Sequence, residues 1–124
     1  MRKKIVAGNW KMNNAFDQTL SLVNELKECK NYKDVSVMIS PAYPFLKTSV
    51  DLLENSSIEV VSQNMHQKKE GAYTGEVSPG MLKSIGVSRT LIGHSERRAY
   101  FNEGNEVLLE KIELALSSGL SIIF

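Results

Sequence analysis

The chain has 124 residues, of which 42% are hydrophobic and 23% charged, the composition of one soluble globular domain rather than of a disordered segment. Fifteen Lys and Arg against fourteen Asp and Glu leave a net charge of +1, so no overall field favours nucleic acid or an anionic membrane as a partner. The single cysteine, Cys29, cannot close an internal disulfide or build a thiolate metal site, and an unpaired thiol suits a reducing compartment.

Short β-branched runs alternate with stretches of helical periodicity, a pattern that predicts parallel strands joined by crossover helices. The first predicted strand spans residues 4–8. Its apolar core is too short for a signal peptide or a membrane span, so we expect a cytoplasmic protein. Asn14 followed by Asp17 resembles a capping box at the start of the first helix. One face of that helix carries Phe16, Leu20, Val23 and Leu26.

The second and third strands are predicted at residues 35–40 and 58–63, on either side of a helix. The apolar face of this helix consists of Leu46, Val50 and Leu53. A short third helix follows, for which Ser78 supplies an N-cap, Pro79 the first helical position and Gly86 the residue after the end.

The fourth strand is predicted at residues 90–93 and the fifth at residues 120–124. Asn105 with Glu106 and, at the other end, Gly119 bracket the helix between them. Its apolar face is formed by Leu108, Ile112, Ala115 and Leu116.

Spacings of about 30 residues between strand starts match the length of a βα repeat, so the sequence predicts four βα units and a fifth strand. We expect them to form a single domain over residues 1–124. The fifth strand is apolar and has no covering element, and natural proteins usually protect such an edge. We therefore expect this chain to be a piece of a longer one.

In parallel α/β folds the chemistry gathers at the carboxyl ends of the strands. Lys11, just beyond the first strand, can offer an ammonium group to a phosphate or an enolate-like oxygen, although a solvated surface lysine fits its position as well. Asn9 can orient Lys11 or donate to a substrate oxygen, and it can equally be an asparagine that closes a turn.

His94 follows the fourth strand, and the next residues can form a helix N-terminus. Backbone N–H groups would then point at the imidazole and favour its neutral form, a hydrogen-bond donor able to polarise a carbonyl. A loop histidine with satisfied hydrogen bonds is the alternative. A hydrolase triad in His94-Ser95-Glu96 is a poor interpretation, because three neighbours in sequence cannot easily be arranged as nucleophile, base and orienting residue. His66 and His94 form no spaced metal motif, so we expect no metal.

Four segments together resemble the signature sequences of the triosephosphate isomerase family, in order and in spacing. They are residues 7–13 (AGNWKMN), 63–64 (QN), 71–78 (GAYTGEVS) and 92–98 (IGHSERR). The resemblance implies the amino-terminal half of a (β/α)₈ barrel, which needs about 250 residues in full. It also implies an aldose–ketose isomerase that interconverts dihydroxyacetone phosphate and glyceraldehyde 3-phosphate through an enediolate, with no cofactor.

The resemblance also implies roles for individual residues. Asn9 and Lys11 bind the substrate, Lys11 stabilises negative charge on it, and His94 is the electrophile, as in the known mechanism of this enzyme. Glu96 matches the residue that supports the lysine, and Ser95 and Arg97 match structural positions behind the site.

The loop after the third strand, residues 65–76, resembles the arm that the family inserts into a partner subunit. Thr74 lies at the tip of that arm, and the resemblance implies a homodimer with Tyr73, Thr74 and Gly75 in its interface. From composition alone the same loop reads as an exposed, mobile Ω-loop.

Some of the family's parts have no match in these residues. Its glutamate base, its lid and its main phosphate-binding loops belong to later segments. None of the glutamates near the matched motifs fits the base, namely Glu76, Glu96, Glu103 and Glu106. We therefore expect no activity from this chain alone. The alternative function is a non-catalytic half-barrel that only binds or assembles with a partner.

Overall fold

The computed structural model describes residues 4–29 and 33–124, so the basic start at residues 1–3 lies outside the described part. The chain divides into two compact units, Met1–Val61 and Ser62–Phe124. We refer to them as unit 1 and unit 2 and describe each by itself. The expectation of one domain over the whole chain stays a prediction.

Unit 1 is a three-stranded parallel sheet with two α-helices. In chain order its elements are β1 (Lys4–Asn9), α1 (Phe16–Lys27), β2 (Val35–Ser40), a 3₁₀ turn (Tyr43–Phe45), α2 (Leu46–Leu52) and β3 (Ile58–Val60). The strand order is β1-β2-β3, with Val6 opposite Val37 and Ile39 opposite Val60. The core of the unit consists of Val23, Met38, Ile39, Leu46, Leu53, Val60 and Val61.

Unit 2 pairs two parallel strands and adds three helices. Its elements are α3 (Pro79–Ser84), β4 (Arg89–Leu91), α4 (Ser95–Tyr100), α5 (Asn105–Ser117) and β5 (Ser121–Ile123). Thr90 lies opposite Ile122 in the β4–β5 ladder. The apolar core consists of Met65, Leu82, Val87, Ile92, Leu108, Ala115 and Leu120.

The parallel pairing confirms the predicted α/β class, although three strands are shorter than predicted. β3 ends at Val60 because Ser62 makes an isolated bridge to Thr90 instead of extending the ladder. β4 ends at Leu91, before Gly93 turns the chain with a φ of +75°. β5 covers residues 121–123, while Leu120 is buried ahead of it.

The helix caps follow the sequence at α3 and depart from it at α1. Ser78 Oγ accepts from the N–H of Met81 at 3.2 Å, and Gly86 has a φ of +88°, as expected for the residue after a helix. The capping box predicted for Asn14 and Asp17 is wrong. The N-cap is Ala15, whose N–H donates to Gln18 Oε1 at 2.9 Å.

No helix among residues 4–29 and 33–124 is long and apolar enough to cross a membrane. The same part of the chain contains no cluster of three or more His, Cys, Asp or Glu side chains arranged to hold a metal ion.

Candidate active site

Asn9 and Lys11 lie at the carboxyl end of β1 in a tight turn. The backbone of Lys11 is left-handed, with a φ of +56°, a conformation that side chains other than glycine adopt at a cost. Its N–H donates to Asn9 Oδ1 at 2.9 Å. A second bond, from Asn13 Nδ2 to the carbonyl of Trp10 at 2.9 Å, closes the same turn. Local hydrogen bonds therefore hold the strained backbone while the Lys11 residue stays exposed.

His94 is the N-cap of α4, as the sequence predicts. The backbone N–H of Glu96 donates to His94 Nδ1 at 3.1 Å. A ring nitrogen that accepts a hydrogen bond carries no proton, so in the neutral ring the proton is on Nε2. Nε2 is therefore the nitrogen that can donate to a substrate.

The side chains after His94 differ in their surroundings. Ser95 is exposed at the first position of α4. A carboxylate oxygen of Glu96 lies 3.6 Å from His94 Nδ1, beyond hydrogen-bond range. Arg97 turns away to Glu103, with Nε 2.7 Å from Oε1, and its guanidinium lies 4.6 Å from the centroid of the Phe101 ring.

Behind α4 lies a buried ionic cluster that sequence reasoning did not find. Glu103 Oε1 accepts from Arg97 and from Lys111, and Lys111 Nζ also donates to Asn64 Oδ1 at 2.8 Å. The residue Lys111 is only 2% exposed. A signal was present, because Lys111 lies three residues after Leu108 and four before Ala115, on the buried stripe of α5.

The two charged groups at the centre of this cluster have shifted pKa values. Burial lowers the pKa of Lys111, and its pairing with Glu103 recovers only part of that change. Burial by itself would raise the pKa of Glu103, but the hydrogen bonds from Lys111 and Arg97 outweigh it and the pKa is lowered. Burial and pairing therefore act in opposite directions at both groups: burial has the larger effect on Lys111, and the hydrogen bonds have the larger combined effect on Glu103.

The predicted arm, residues 65–76, is an ordered loop in unit 2. The His66 and Tyr73 rings pack with centroids 4.4 Å apart, and His66 Nδ1 lies 3.3 Å from Glu76 Oε2. Lys68 Nζ reaches Glu110 of α5 at 2.7 Å. Tyr73, Thr74 and Gly75 are exposed at the tip, where Gly75 has a φ of +88°. Contacts within the loop and one ion pair to α5 therefore support it.

Within each unit, some of the predicted site residues lie together. Asn9 and Lys11 share one turn of unit 1, and in unit 2 residues 94–97 share the start of α4. The sequence model for triosephosphate isomerase matches residues 4–124. The chain belongs to the triosephosphate isomerase family. Its fold class is that of the amino-terminal half of the (β/α)₈ barrel.

Proteins named triosephosphate isomerase are similar over the whole chain. That of Flavobacterium psychrophilum is 46% identical and that of Carboxydothermus hydrogenoformans 47%, each over 100% of this chain and 50% of its own length. That of Dictyoglomus thermophilum is 45% identical over the same shares. The chain spans about half the length of the curated relatives it matches.

Proposed function

We propose that this chain supplies the electrophile and part of the substrate grip of a triosephosphate isomerase. The reaction interconverts dihydroxyacetone phosphate and glyceraldehyde 3-phosphate through an enediolate, without a metal or an organic cofactor. We expect it to take place in the cytoplasm. Membership of the family supports the reaction class.

The single observation that carries the proposal is the hydrogen bond from Glu96 N–H to His94 Nδ1. It fixes the tautomer, so that a neutral imidazole presents Nε2–H as a donor. In the proposed reaction that donor polarises the substrate carbonyl and stabilises the oxygen as it gains charge in the enediolate. A known precedent is the neutral histidine at a helix N-terminus in the family's mechanism.

Lys11 and Asn9 act on the anionic substrate. The Lys11 ammonium stabilises the phosphate and the negative charge that builds up beside it. Asn9 uses its Oδ1 to accept from Lys11 N–H, which leaves its Nδ2 amide as the donor for a substrate oxygen. Asn9 therefore has two roles in the proposal, one in shaping the turn and one in binding.

Proton abstraction from carbon needs a base that these residues do not supply. The side chain of Glu103 is buried between two cations, and Glu76 is paired with His66. Glu96 and Glu106 lie in the first turns of α4 and α5. We therefore assign the base to the family's later segments. We assign Glu96 to support of the lysine, and Ser95 and Arg97 to structural positions behind the site.

The test is a chimera in which this chain replaces the matched first half of the Flavobacterium psychrophilum relative. A coupled assay follows glyceraldehyde 3-phosphate formation by the purified chimera and by the 124-residue chain. We expect turnover from the chimera and none above background from the chain alone. A folded but inactive chimera would contradict the proposed function, and robust turnover by the chain alone would contradict the assignment of the base.

We further propose that the arm, with Tyr73, Thr74 and Gly75 at its tip, makes the chimera a homodimer. The exposure of the tip and its support by the packed His66 and Tyr73 rings fit such a role. Deleting residues 68–73 from the chimera should produce monomers with reduced activity, measured by analytical ultracentrifugation and the same assay. A deletion variant that remains a fully active dimer would make the arm an ordinary surface loop.

A further inference from the structure

Arg98 makes two hydrogen bonds that flank His94. Its side-chain Nε donates to the carbonyl of Gly93 at 2.7 Å, on the amino side of His94. The carbonyl of His94 itself accepts from the backbone N–H of Arg98 at 3.2 Å and from that of Arg97 at 2.9 Å. Arg98 therefore bonds to both peptide groups that flank the His94 Cα, and its side chain supplies the bond on the Gly93 side.

The Arg98 side chain is itself held in place. Its guanidinium carbon lies 5.0 Å from the centroid of the Phe124 ring, within the range of a cation–π contact. A Cβ at Gly93 would lie 2.8 Å from Arg98 Nη2 and 3.0 Å from Phe124 Cε2. Because no side chain fits there and φ is +75°, Gly93 allows the guanidinium and the ring to pack directly on the backbone before His94.

We propose that Arg98 is a positioning residue that fixes the orientation of the His94 imidazole. The N–H of Glu96 anchors the ring directly through Nδ1. That bond is made with the His94 backbone at a φ of −52° and a ψ of 139°. Rotation of the Gly93–His94 peptide would move the ring away from the Glu96 N–H, and Arg98 opposes this rotation. The consequence for catalysis rests on the proposed function.

This role depends on geometry more than on charge. The planar guanidinium has an Nε–H at a fixed distance along the chain, whereas a lysine ends in a flexible ammonium group. Arg98→Lys keeps the charge and most of the length but loses that donor. Arg98→Met loses the donor and the charge. If positioning is the role, both variants should misplace His94.

The first experiment uses the 124-residue chain labelled with ¹⁵N-histidine. This chain has two histidines, His66 and His94. Two-bond ¹H–¹⁵N spectra report the tautomer of each ring. In the unsubstituted chain we expect His94 as the Nε2–H tautomer. In Arg98→Lys and Arg98→Met we expect averaged His94 nitrogen shifts from mixed tautomers, while the His66 signals stay unchanged as the internal control.

Unchanged His94 signals in both variants would overturn the proposal. Loss of the His66 signals in both would also overturn it, since Arg98 would then be needed for folding in general. If only Arg98→Met loses the His66 signals, the His94 shifts of Arg98→Lys decide whether Arg98 positions the ring. Phe124→Leu should move the His94 shifts in the same direction but less, because it removes only the ring under the guanidinium.

The second experiment measures the steady-state kinetics of the chimera. We expect Arg98→Lys to lower kcat about tenfold or more while KM changes less than about threefold, since a misaligned donor mainly affects the transition state. An equal kcat, or a loss confined to KM, would contradict the catalytic consequence. If the unsubstituted chimera were inactive, the proposed function would fail, but the spectra would still decide whether Arg98 positions His94.

Discussion

The turn that carries Lys11 and the turn that carries His94 are held in different ways. Lys11 is exposed, and its backbone depends on hydrogen bonds from close neighbours in sequence. His94 has its ring fixed by Glu96 N–H, the carbonyl before it held by Arg98 Nε, and its own carbonyl held by the N–H groups of Arg97 and Arg98. A point charge acts over distance with little directional preference, whereas a hydrogen-bond donor must be aligned. The fold thus aligns the His94 ring, whose proposed chemistry is directional, and shapes the backbone that carries the Lys11 charge.

The buried cluster behind α4 offers the largest expected effect. Glu103→Gln leaves the buried amine of Lys111 with Asn64 but without its carboxylate partner, which should cost about 3–5 kcal/mol of unfolding free energy. Urea unfolding of the chain measures it. Glu110→Gln is the matched control, because its exposed pair with Lys68 should contribute at most about 1 kcal/mol. Equal effects of the two variants would mean that the stability of unit 2 does not depend on its buried cluster.

The same cluster predicts a pH dependence. The pKa of Glu103 is lowered in the folded chain, so between the folded value and the unfolded value of about 4.3 the unfolded chain binds more protons. The contribution of Glu103 to the free energy of unfolding is fully present above its pKa in the unfolded chain. It is lost as the pH falls through its pKa in the folded chain. Glu103→Gln should therefore flatten the acid side of the stability profile, and an unchanged slope would contradict the paired state.

Replacing the aligned donor tests the His94 side of the comparison. His94→Gln in the chimera should lower kcat about 10²- to 10³-fold with little change in KM, by analogy with the loss of one oxyanion-hole donor. Steady-state kinetics with both triose phosphates provide the measurement, and the melting temperature confirms that the variant folds. An unchanged kcat would remove His94 from the role of electrophile.

Replacing the charge tests the other turn. Lys11→Met in the chimera should lower kcat/KM about tenfold to hundredfold, since a hydrogen bond to a charged group contributes about 1.5–3 kcal/mol. Binding of 2-phosphoglycolate should weaken in parallel. Lys47→Met, on the exposed face of α2, is the control and should leave both unchanged. Tight inhibitor binding by Lys11→Met would make Lys11 a surface lysine.

The smallest effect is expected from the bond that shapes the Lys11 turn. Asn9→Ala removes the acceptor for Lys11 N–H and should raise KM about fivefold, the equivalent of about 1 kcal/mol. Asn9→Asp keeps an acceptor oxygen but loses the amide donor, so it separates shaping from binding. If Asn9→Asp restores KM to that of the unsubstituted chimera, shaping the turn is the main role of Asn9.

Local sequence patterns account for much of the fold. Alternating periodicities predict the parallel strands and helices, and Ser78 with Pro79 predicts the start of α3, because a cap depends on atoms a few residues apart. The cap of α1 shows the limit. Several nearby polar residues could serve there, and the backbone places Asn14 at a φ of +68°, so Gln18 completes the cap from inside the helix.

The candidate site divides in the same way. By itself the sequence determines the residue types at the strand ends and the position of His94 at a helix N-terminus, two residues before its hydrogen-bond donor Glu96. Only the tertiary structure decides that Lys111 pairs with Glu103 and Asn64, and that Arg98 packs between Gly93 and Phe124. Periodicity shows which face of an element is buried, but the partner of a buried charge depends on which distant segments the packing brings within hydrogen-bond range.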